Sequence, residues 1–437
     1  MATDIQLRRD TAANWTSNNT VLKSGEPGVE TDTGRLKIGD GSTTWSNLDY
    51  VDQDIAALNG WDSGELPSQF DSPTLVFKDP LRASVEAASG GRATVMYDDQ
   101  DYPSYMVRIP AFNLEDIHAD FGSGRHPAFI VDDTEIAEIW IGMHQAYVYG
   151  SRALSLPGLD PTVSVDYDEA QTYSRNKGSG WHLMTNAEWA AVALWVLKQE
   201  DAGNLAHVPR GNTDYGRAHD AYAEVGTGRN NEDPGSGDRV LTGSGPVAWR
   251  HDLSSAGISD LVGNIWEWVG GLRLDDGEIN VIPDNDAALD AADHSSGSTQ
   301  WRAIAASDGS LVSPGTAGTC KYDTTPSDLE IDDEIDNRDG DVGDDSNGDS
   351  TATDLDEITA AGGITVPARL KRLLLAPGPL AASGDRVYVR NYGERLPRRG
   401  GYWANAAGAG LGALNLSSPR SVSHSSIGFR PAFVAQP

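Results

Sequence analysis

The chain contains one cysteine, Cys320, among 437 residues. A disulfide framework needs pairs of cysteines and a cysteine-rich metal site needs several, so a single chain can form neither. Redox chemistry therefore does not fix the compartment in which the protein works.

Basic residues and long apolar runs are also scarce. The chain has 33 Lys and Arg against 65 Asp and Glu, which gives a formal net charge of -32. A field of that sign repels nucleic acid and anionic membranes, so we expect neither as a partner. No window approaches the ~18 consecutive apolar residues of a membrane-spanning helix. The first residues also lack the basic and apolar regions of a signal peptide, so we expect neither membrane insertion nor a signal peptide.

Two helices are marked by their first turns. Asp166 is a capping residue for a helix that Gly178 ends, and Thr185 and Glu188 form a capping box before apolar residues at helical spacing. Strand-like alternation occurs at 105–109 and 136–141, and an aromatic-rich strand follows a turn at 260–264. We expect both helices to pack on a sheet.

Residues 5–50 differ from the rest in having short alternating segments separated by tight turns, such as Glu26-Pro-Gly28 and Gly39-Asp-Gly41. Such short strands with little apolar content cannot bury a core alone. Sharing a core with identical copies is the physical solution, so this module predicts an oligomer.

Three motifs of this module stand in a recognisable order: Ile5-Gln-Leu-Arg-Arg9, Gly25-Glu-Pro-Gly-Val-Glu-Thr-Asp-Thr-Gly34 and Leu36-Lys-Ile-Gly-Asp-Gly41. They resemble the N-terminal module of phage tail-fibre and tropism-determinant proteins. The resemblance implies a small all-β, prism-like trimerisation module over residues 1–52, and hence a homotrimer. Residues 53–85 lack sustained periodicity and are interpreted as a connector with one strand at 74–77.

The segment 324–358 is dense in Asp and Glu. Runs of this kind are usually solvated, so we interpret the segment as a loosely ordered acidic insert. A calcium site is the alternative, although the order of residues does not match the EF-hand loop. Its carboxylates would be Asp336, Asp339, Asp341, Asp344 and Asp345.

The larger part of the chain, from residue 86 to 437, resembles the formylglycine-generating-enzyme branch of the C-type lectin fold. The motifs that carry the resemblance are Tyr167-Asp-Glu-Ala170, Trp181 to Trp189, Gly263-Asn-Ile-Trp-Glu-Trp268, Arg399-Gly-Gly-Tyr-Trp403 and Gly428-Phe-Arg430. The resemblance implies an α+β fold in which these residues are mainly framework.

Catalysis is not expected. The cysteine-oxidising enzymes of this branch use a cysteine pair between the last two motifs, where this chain has none. The nine histidines show no spacing suited to iron ligation, so no catalytic residue and no cofactor is predicted. Asn264 and Glu267 match positions that bind a divalent cation in some enzymes of this fold; structural hydrogen bonding is the other interpretation.

The segment 398–433 has aromatic and arginine residues at its ends and small side chains between them. It resembles the variable region of proteins diversified by retroelements, in which adenine-directed mutagenesis rewrites chosen codons. The resemblance implies variable, ligand-binding positions at Tyr402, Ala404, Asn405, Ala407, Ser417, Ser418, Val422, His424, Ser425 and Ser426. The implied framework is Trp403, Leu411, Leu414, Leu416, Ile427, Phe429, Arg430, Trp266 and Trp268.

These resemblances predict a receptor-binding protein at the tip of a viral tail fibre, acting outside the cell on a host surface receptor that is a protein or a glycan. A surface that accepts many side chains cannot also carry the stability of the fold, so other elements must hold it. Two other functions stay open: an enzyme on the same fold and a structural virion decoration protein.

Overall fold

The computed structural model describes residues 8–50, 79–213, 239–325, 328–339, 350–380 and 384–436. The chain forms two compact units, Met1–Lys78 and Asp79–Pro437. The predicted strand at 74–77 lies outside the described residues. A helix begins at residue 80, so residues 80–85 of the predicted connector belong to the second unit. Among the described helices, none has the length and apolar character needed to span a bilayer.

Within residues 8–50, the first unit forms three short strands, one α-helix and one 3-10 helix, Trp45–Asn47. The elements are β1 (Arg8–Asp10), α1 (Ala12–Asn18), β2 (Pro27–Glu30) and β3 (Leu36–Ile38). Strand β1 pairs with β2 in parallel, and β2 pairs with β3 antiparallel. Helix α1, capped by the Thr11 side chain, was not predicted, so the described part of this module is not purely β.

The first unit has a small core of its own, and the expectation that it could bury none is wrong. Trp15 and Trp45 stack with ring centroids 4.1 Å apart, and Leu22 and Leu48 are buried with them. Two tryptophans supply as much apolar area as several aliphatic residues, which makes a core possible in so short a segment. Ile38 stays 48% exposed.

The second unit has an α+β architecture, as predicted. Its first elements are α2 (Pro80–Ser89), β4 (Ala93–Tyr97), β5 (Pro103–Pro110), α3 (Leu114–Ile117), β6 (Ile130–Val131), β7 (Thr134–Glu135), β8 (Glu138–Gly142), β9 (Ala146–Tyr149), β10 (Arg152–Ser155), α4 (Tyr167–Arg175), β11 (Trp181–Leu183) and α5 (Asn186–Asp201).

The regular elements in the second part of this unit are mostly strands. Its elements are β12 (Trp266–Trp268), β13 (Leu272–Asp275), β14 (Glu278–Val281), β15 (Arg302–Ile304), β16 (Leu311–Val312), β17 (Lys321–Thr324), β18 (Leu329–Asp332), β19 (Thr351–Asp354), β20 (Thr359–Ala360), α6 (Ala368–Arg372), β21 (Arg386–Val389), β22 (Glu394–Arg395), β23 (Arg398–Arg399), β24 (Leu414–Leu416), β25 (Ile427–Phe429) and β26 (Pro431–Phe433).

Three large sheets contain most of these strands, and the pairs β6-β7 and β9-β10 form two-stranded sheets. A five-stranded sheet has the order β11-β26-β8-β5-β4, and a six-stranded sheet has the order β19-β21-β24-β23-β12-β25. The third sheet runs β16-β15-β14-β17-β18-β20, and β13 and β22 join it through β14. The last two strands of the chain therefore belong to different sheets, and the chain ends by linking them.

The predicted helix caps are confirmed. The Asp166 side chain accepts from the Glu169 backbone N–H, and the Thr185 side chain accepts from that of Glu188. Each glutamate returns a bond to its capping residue, which completes both capping boxes. Helix α5 is buried along most of its length, because it lies inside the main apolar core.

The acidic insert is more ordered than predicted. Strand β18 pairs with β17 and β20, and β19 pairs with β21, so both strands lie inside the predicted loose segment. Leu329 and Ile331 are buried, and they supply the apolar face that a solvated run would lack. Residues 340–349, with Asp341, Asp344 and Asp345, lie outside the described residues.

One buried ion pair joins the end of the chain to the rest of the unit. Arg430 donates to both carboxylate oxygens of Glu267, from Nε at 2.9 Å and from Nη2 at 2.7 Å. It also donates to the backbone carbonyls of Gly142 and Ser259. Arg430 and Glu267 are 0% and 1% exposed, so neither charge has water to solvate it.

Replacement of Glu267 by Gln should destabilise the protein strongly, because the Arg430 charge would stay buried without its counter-ion. We expect a loss of about 3–5 kcal/mol in the free energy of unfolding, measured by urea denaturation. The matched control is Glu138→Gln, which breaks an exposed pair with Arg108 and should cost less than about 1 kcal/mol. Equal losses in the two variants would contradict this role for the buried pair.

Candidate functional site

The terminal segment, residues 398–433, contributes β23, β24 and β25 to the six-stranded sheet. Two loops connect these strands. The first loop covers residues 400–413 between β23 and β24, and the second loop covers residues 417–426 between β24 and β25. Every predicted variable position lies in one of these loops.

The two faces of the six-stranded sheet have different surroundings. Val387, Val389, Leu414 and Leu416 alternate to one side, where they are buried in the main core. Residues between them point to the opposite side, which we call the outer face; they include Tyr388 and Asn415, paired in the same register. Both are half-buried. On this face, a ligand can therefore reach Tyr388 and Asn415.

An aromatic cluster lies under the loops. It includes Trp266, Trp268, Ala413, Ile427 and Phe429, all buried. Tyr402 from the first loop and Val422 from the second loop both pack against it as half-buried side chains. The two loops thus pack on the same aromatic cluster, although most of their own side chains are small.

The first loop is shaped by Asn405. Its Oδ1 accepts from the Tyr402 backbone N–H at 2.9 Å, and its Nδ2 donates to the Tyr388 hydroxyl at 3.4 Å. The next residue, Ala406, has a positive φ of 47° and donates its N–H to the Thr213 carbonyl. Trp403, predicted as a framework residue, is half-buried and meets the Tyr402 ring edge to face at 5.1 Å.

The second loop is held mainly by its backbone. The Ser164 N–H donates to the His424 carbonyl at 3.0 Å, and the Trp266 N–H donates to the Ser426 carbonyl at 2.8 Å. Ser426 is only 6% exposed, and its hydroxyl lies 2.9 Å from His424 Nδ1. The assignment of Ser426 to the ligand surface is therefore wrong, because its side chain is turned inward.

Strand directions show which predicted positions lie near each other. Strands β24, β12 and β25 run in the same direction, and β23 runs opposite to them. The first loop and the end of the second loop therefore lie at the same end of the strands. Ser417 and Ser418 follow the last residue of β24, so they lie at the opposite end of the strands.

The exposure of the predicted positions falls into three classes. Ala407, His424 and Ser425 are exposed. The half-buried positions are Tyr402, Ala404, Asn405, Ser417, Ser418 and Val422. The predicted framework is buried apart from Trp403: Leu411, Leu414, Leu416, Ile427, Phe429, Arg430, Trp266 and Trp268.

Sequence reasoning missed two residues of the outer face. Tyr388 lies on β21, a strand that was not predicted although Arg386-Val-Tyr-Val389 alternates. Asn415 lies between the framework residues Leu414 and Leu416 and is not among the predicted binding positions. The alternation of polar and aliphatic residues could have identified both, since adjacent residues of a strand face opposite sides.

Asn264 and Glu267 are committed to hydrogen bonds. The Asn264 amide bonds Gln145 and both backbone groups of Val240, and its φ of 64° places it in a tight turn. Glu267 accepts from Arg430 and from Gln145. Because both carboxylate oxygens of Glu267 accept these hydrogen bonds, the hydrogen-bonding interpretation fits better than a cation site.

A group of three carboxylates, Asp323, Asp332 and Asp336, brings one oxygen of each within 4.8 Å of the others. Of these, Asp336 belongs to the predicted calcium set. Both Asp323 oxygens accept backbone N–H groups, from Asp336 and Asn337. Asp339, also in the predicted set, accepts from Thr351 instead. These bonds satisfy Asp323 without a cation.

Cys320 is poorly placed for thiol chemistry. It is 0% exposed, and burial raises the pKa of its thiol to about 12. A reactive cysteine needs an accessible thiolate, so this residue has the wrong protonation state and no access. Buried histidines are also kept neutral: burial lowers the pKa of both His126 and His294 to about 3.

Asp385 lies beneath the first loop. Its Oδ2 accepts from the Gly412 N–H at 2.7 Å, and its carboxylate fills the space that a side chain at Gly410 would need. Burial raises the pKa of Asp385 to about 7. The loop therefore rests on a carboxyl group that is protonated in acid and charged in base.

Family models match two parts of the chain. Residues 5–43 match the major tropism determinant N-terminal domain, and residues 82–277 match the sulfatase-modifying factor enzyme 1-like domain. Both predicted resemblances are thereby confirmed: a tropism-determinant type of N-terminal module precedes a C-type lectin fold of the formylglycine-generating-enzyme branch.

Individual proteins are similar to the chain over different lengths. A hyaluronoglucosaminidase of Streptococcus pyogenes phage H4489A is 45% identical over 47 residues, which is 11% of this chain and 13% of the relative's length. The major tropism determinant U1 variant is 11% identical and covers 98% of this chain and 99% of its own, with a TM-score of 0.27. The variable protein 1 of Treponema denticola is 11% identical, with coverages of 78% and 98% and a TM-score of 0.30. PvdO from Pseudomonas aeruginosa is 15% identical, with the same coverages and a TM-score of 0.31.

Replacement of Asp385 by Asn should change how stability depends on pH. Because the folded pKa is raised, the protonated carboxyl contributes stability that is complete below about pH 4 and is lost as pH rises through about 7. The variant should therefore gain on the parent by up to about 4 kcal/mol between about pH 4 and pH 8. Urea denaturation of both proteins at several pH values measures this difference. The contributions of the buried histidines to the pH dependence are the same in both proteins and cancel in it. A constant difference across the range would contradict a raised pKa.

Proposed function

We propose that the chain is a receptor-binding protein of a viral or phage tail fibre and that the two loops of the terminal segment form its ligand surface. The observation that carries the proposal is how these loops are held. Backbone bonds fix the carbonyls of Tyr402, Ser418, His424 and Ser426. Bonds of this kind persist whichever side chain occupies the position.

The burial pattern supports the same function. Buried aliphatic and aromatic residues flank each loop, while Ala407, His424 and Ser425 project from the surface. Stability and recognition are thus assigned to different residues, which a surface that tolerates change requires. Tyr402 and the half-buried Trp403 add rigid aromatic area, the kind that dominates many binding surfaces.

We further propose that a retroelement diversifies the exposed and half-buried loop positions. Their composition of Tyr, Ser, Ala, Asn, Val and His fits the products of adenine-directed codon change. Sequencing the neighbouring genome tests this directly. A near-copy of the codons for residues 398–433 with adenines at these positions, beside a reverse transcriptase, would support it, and the lack of such a copy would count against it.

The N-terminal module supports assembly into a homotrimer on a virion. Its match to the tropism-determinant domain covers residues 5–43. Three copies of a weak site gain apparent affinity through avidity, by roughly 10²–10⁴-fold when the geometry permits simultaneous contact. A weak site formed by small side chains then suffices for attachment to a host surface.

Two observations favour an enzyme as the second candidate. One family model is named for a sulfatase-modifying enzyme, and one phage relative is named a hyaluronoglucosaminidase. The relative matches over 13% of its own length, so its activity does not follow for this chain. The buried Cys320 argues against cysteine oxidation.

Replacement of His424 by Ala should weaken adsorption to host cells roughly tenfold, because it removes an exposed contact side chain worth about 1.4 kcal/mol. The melting temperature should stay close to the parent's. His118, whose side chain is 42% exposed in another part of the unit, gives the control variant His118→Ala, which should adsorb normally. Tyr402→Ala differs from both: it should weaken adsorption and also lower the melting temperature, since Tyr402 packs on the aromatic cluster.

Unchanged adsorption of His424→Ala and Tyr402→Ala would overturn the receptor-binding proposal. Oxidation of a cysteine-containing peptide by the purified parent protein would favour the enzyme instead.

A further inference from the structure

Where β24 ends, four side chains supply more hydrogen-bond donors than acceptors. We call Arg398, Asn415, Ser417 and Ser418 the donor cluster. Arg398 and Asn415 are paired in register across β23 and β24, so both side chains lie on the outer face. The two serines follow directly after β24.

Arg398 carries a buried charge without a carboxylate partner among the described residues. It is 6% exposed, and its Nη2 donates to Asn415 Oδ1 at 2.8 Å and to Ser418 Oγ at 2.7 Å. The guanidinium lies 5.3 Å from the centroid of the Trp268 ring. Its Nε is buried without an acceptor. Burial lowers the pKa of Arg398 to about 10, so the group is still charged at neutral pH.

Asn415 leaves further donors without acceptors. Its Oδ1 accepts from Arg398 and from both the N–H and the hydroxyl of Ser417, at 3.0 and 2.8 Å. Three donors on one oxygen fix the orientation of the amide, and the two N–H bonds of its Nδ2 then have no acceptor within the described part of the chain. Asn415, Ser417 and Ser418 are half-buried, so this cluster reaches the surface.

We propose that the donor cluster binds an anionic group, a carboxylate or a sulfate, on the ligand of the terminal segment. Such a group supplies the missing acceptors and the missing negative charge together, in charge-assisted hydrogen bonds. The inference rests on the proposed function for the identity of the ligand. The binding of a free anion depends on the donor cluster alone.

The surroundings make this site selective. With a net charge of -32, the chain repels anions at long range, so an anion binds only where local donors compensate for the repulsion. Ser418 is also a predicted variable position. An aspartate there would pair with Arg398 and neutralise the site, so one codon sets whether the surface accepts an anionic ligand.

The variant Ser418→Asp tests the proposal, with Ser418→Asn as the uncharged control of equal size. The melting temperature of each full-length protein is measured at constant ionic strength in sodium chloride, sodium acetate and sodium sulfate. We expect acetate or sulfate to raise the melting temperature of the parent and of Ser418→Asn relative to chloride. Ser418→Asp should be more stable than the parent in chloride, and it should show only the smaller general stabilisation that sulfate gives by exclusion from protein surfaces. The acetate and sulfate arms distinguish a carboxylate from a sulfate.

A second arm applies the three proteins to an array of acidic and neutral glycans. The parent should bind acidic glycans, and Ser418→Asp should bind them roughly ten- to a hundredfold more weakly, the loss expected for charge-assisted bonds. Equal ion responses of the parent and Ser418→Asp would overturn the inference while leaving the receptor function intact. If every loop variant adsorbs to host cells as the parent does, and the ion responses are as expected, the receptor function is overturned and the anion site stands.

Discussion

The bidentate pair between Arg430 and Glu267 is the interaction on which the terminal segment depends. Arg430 lies between β25 and β26, where the chain passes from the six-stranded to the five-stranded sheet, and its guanidinium bonds β8 and β12 as well. A second buried arginine, Arg399, holds the start of the segment by donating to Asn186 and to the Leu373 and Leu374 carbonyls. Both ends of the segment are therefore fixed by charges that cannot leave their partners without a large cost.

With its ends fixed, the segment does not need its loop side chains for stability. Backbone hydrogen bonds and the aromatic cluster hold the loops, and the outer face presents Tyr388, Asn415 and the exposed loop residues. The division is not complete: Tyr402, Asn405 and Ser426 have structural contacts as well as positions in the loops. Substitutions there should alter loop shape, whereas those at Ala407 and Ser425 should alter the surface alone.

Much of this arrangement could be predicted from sequence. Capping residues located α4 and α5, and motif order identified the lectin-like framework. Helix α1 was missed because only Trp15 among its residues is buried, which leaves no apolar stripe to detect. Strands β18 and β19 were missed because acidic residues outweigh Leu329 and Ile331 in the composition. The burial of Ser426 and the half-exposure of Trp403 depend on long-range backbone hydrogen bonds, which residue type does not reveal. The Trp266 N–H donates to the Ser426 carbonyl, and the Trp403 N–H donates to the Asn264 carbonyl.

The central claim is that the frame carries the stability and the loops carry the recognition. A library that randomises Ala404, Ala407, Ser417, His424 and Ser425 together, displayed on a surface and sorted for protease resistance and then for host-cell binding, measures both properties at once. We expect most members to resist protease as well as the parent does, while host-cell binding changes widely among them. A library in which protease resistance collapses, or in which resistant members all bind as the parent does, would contradict it.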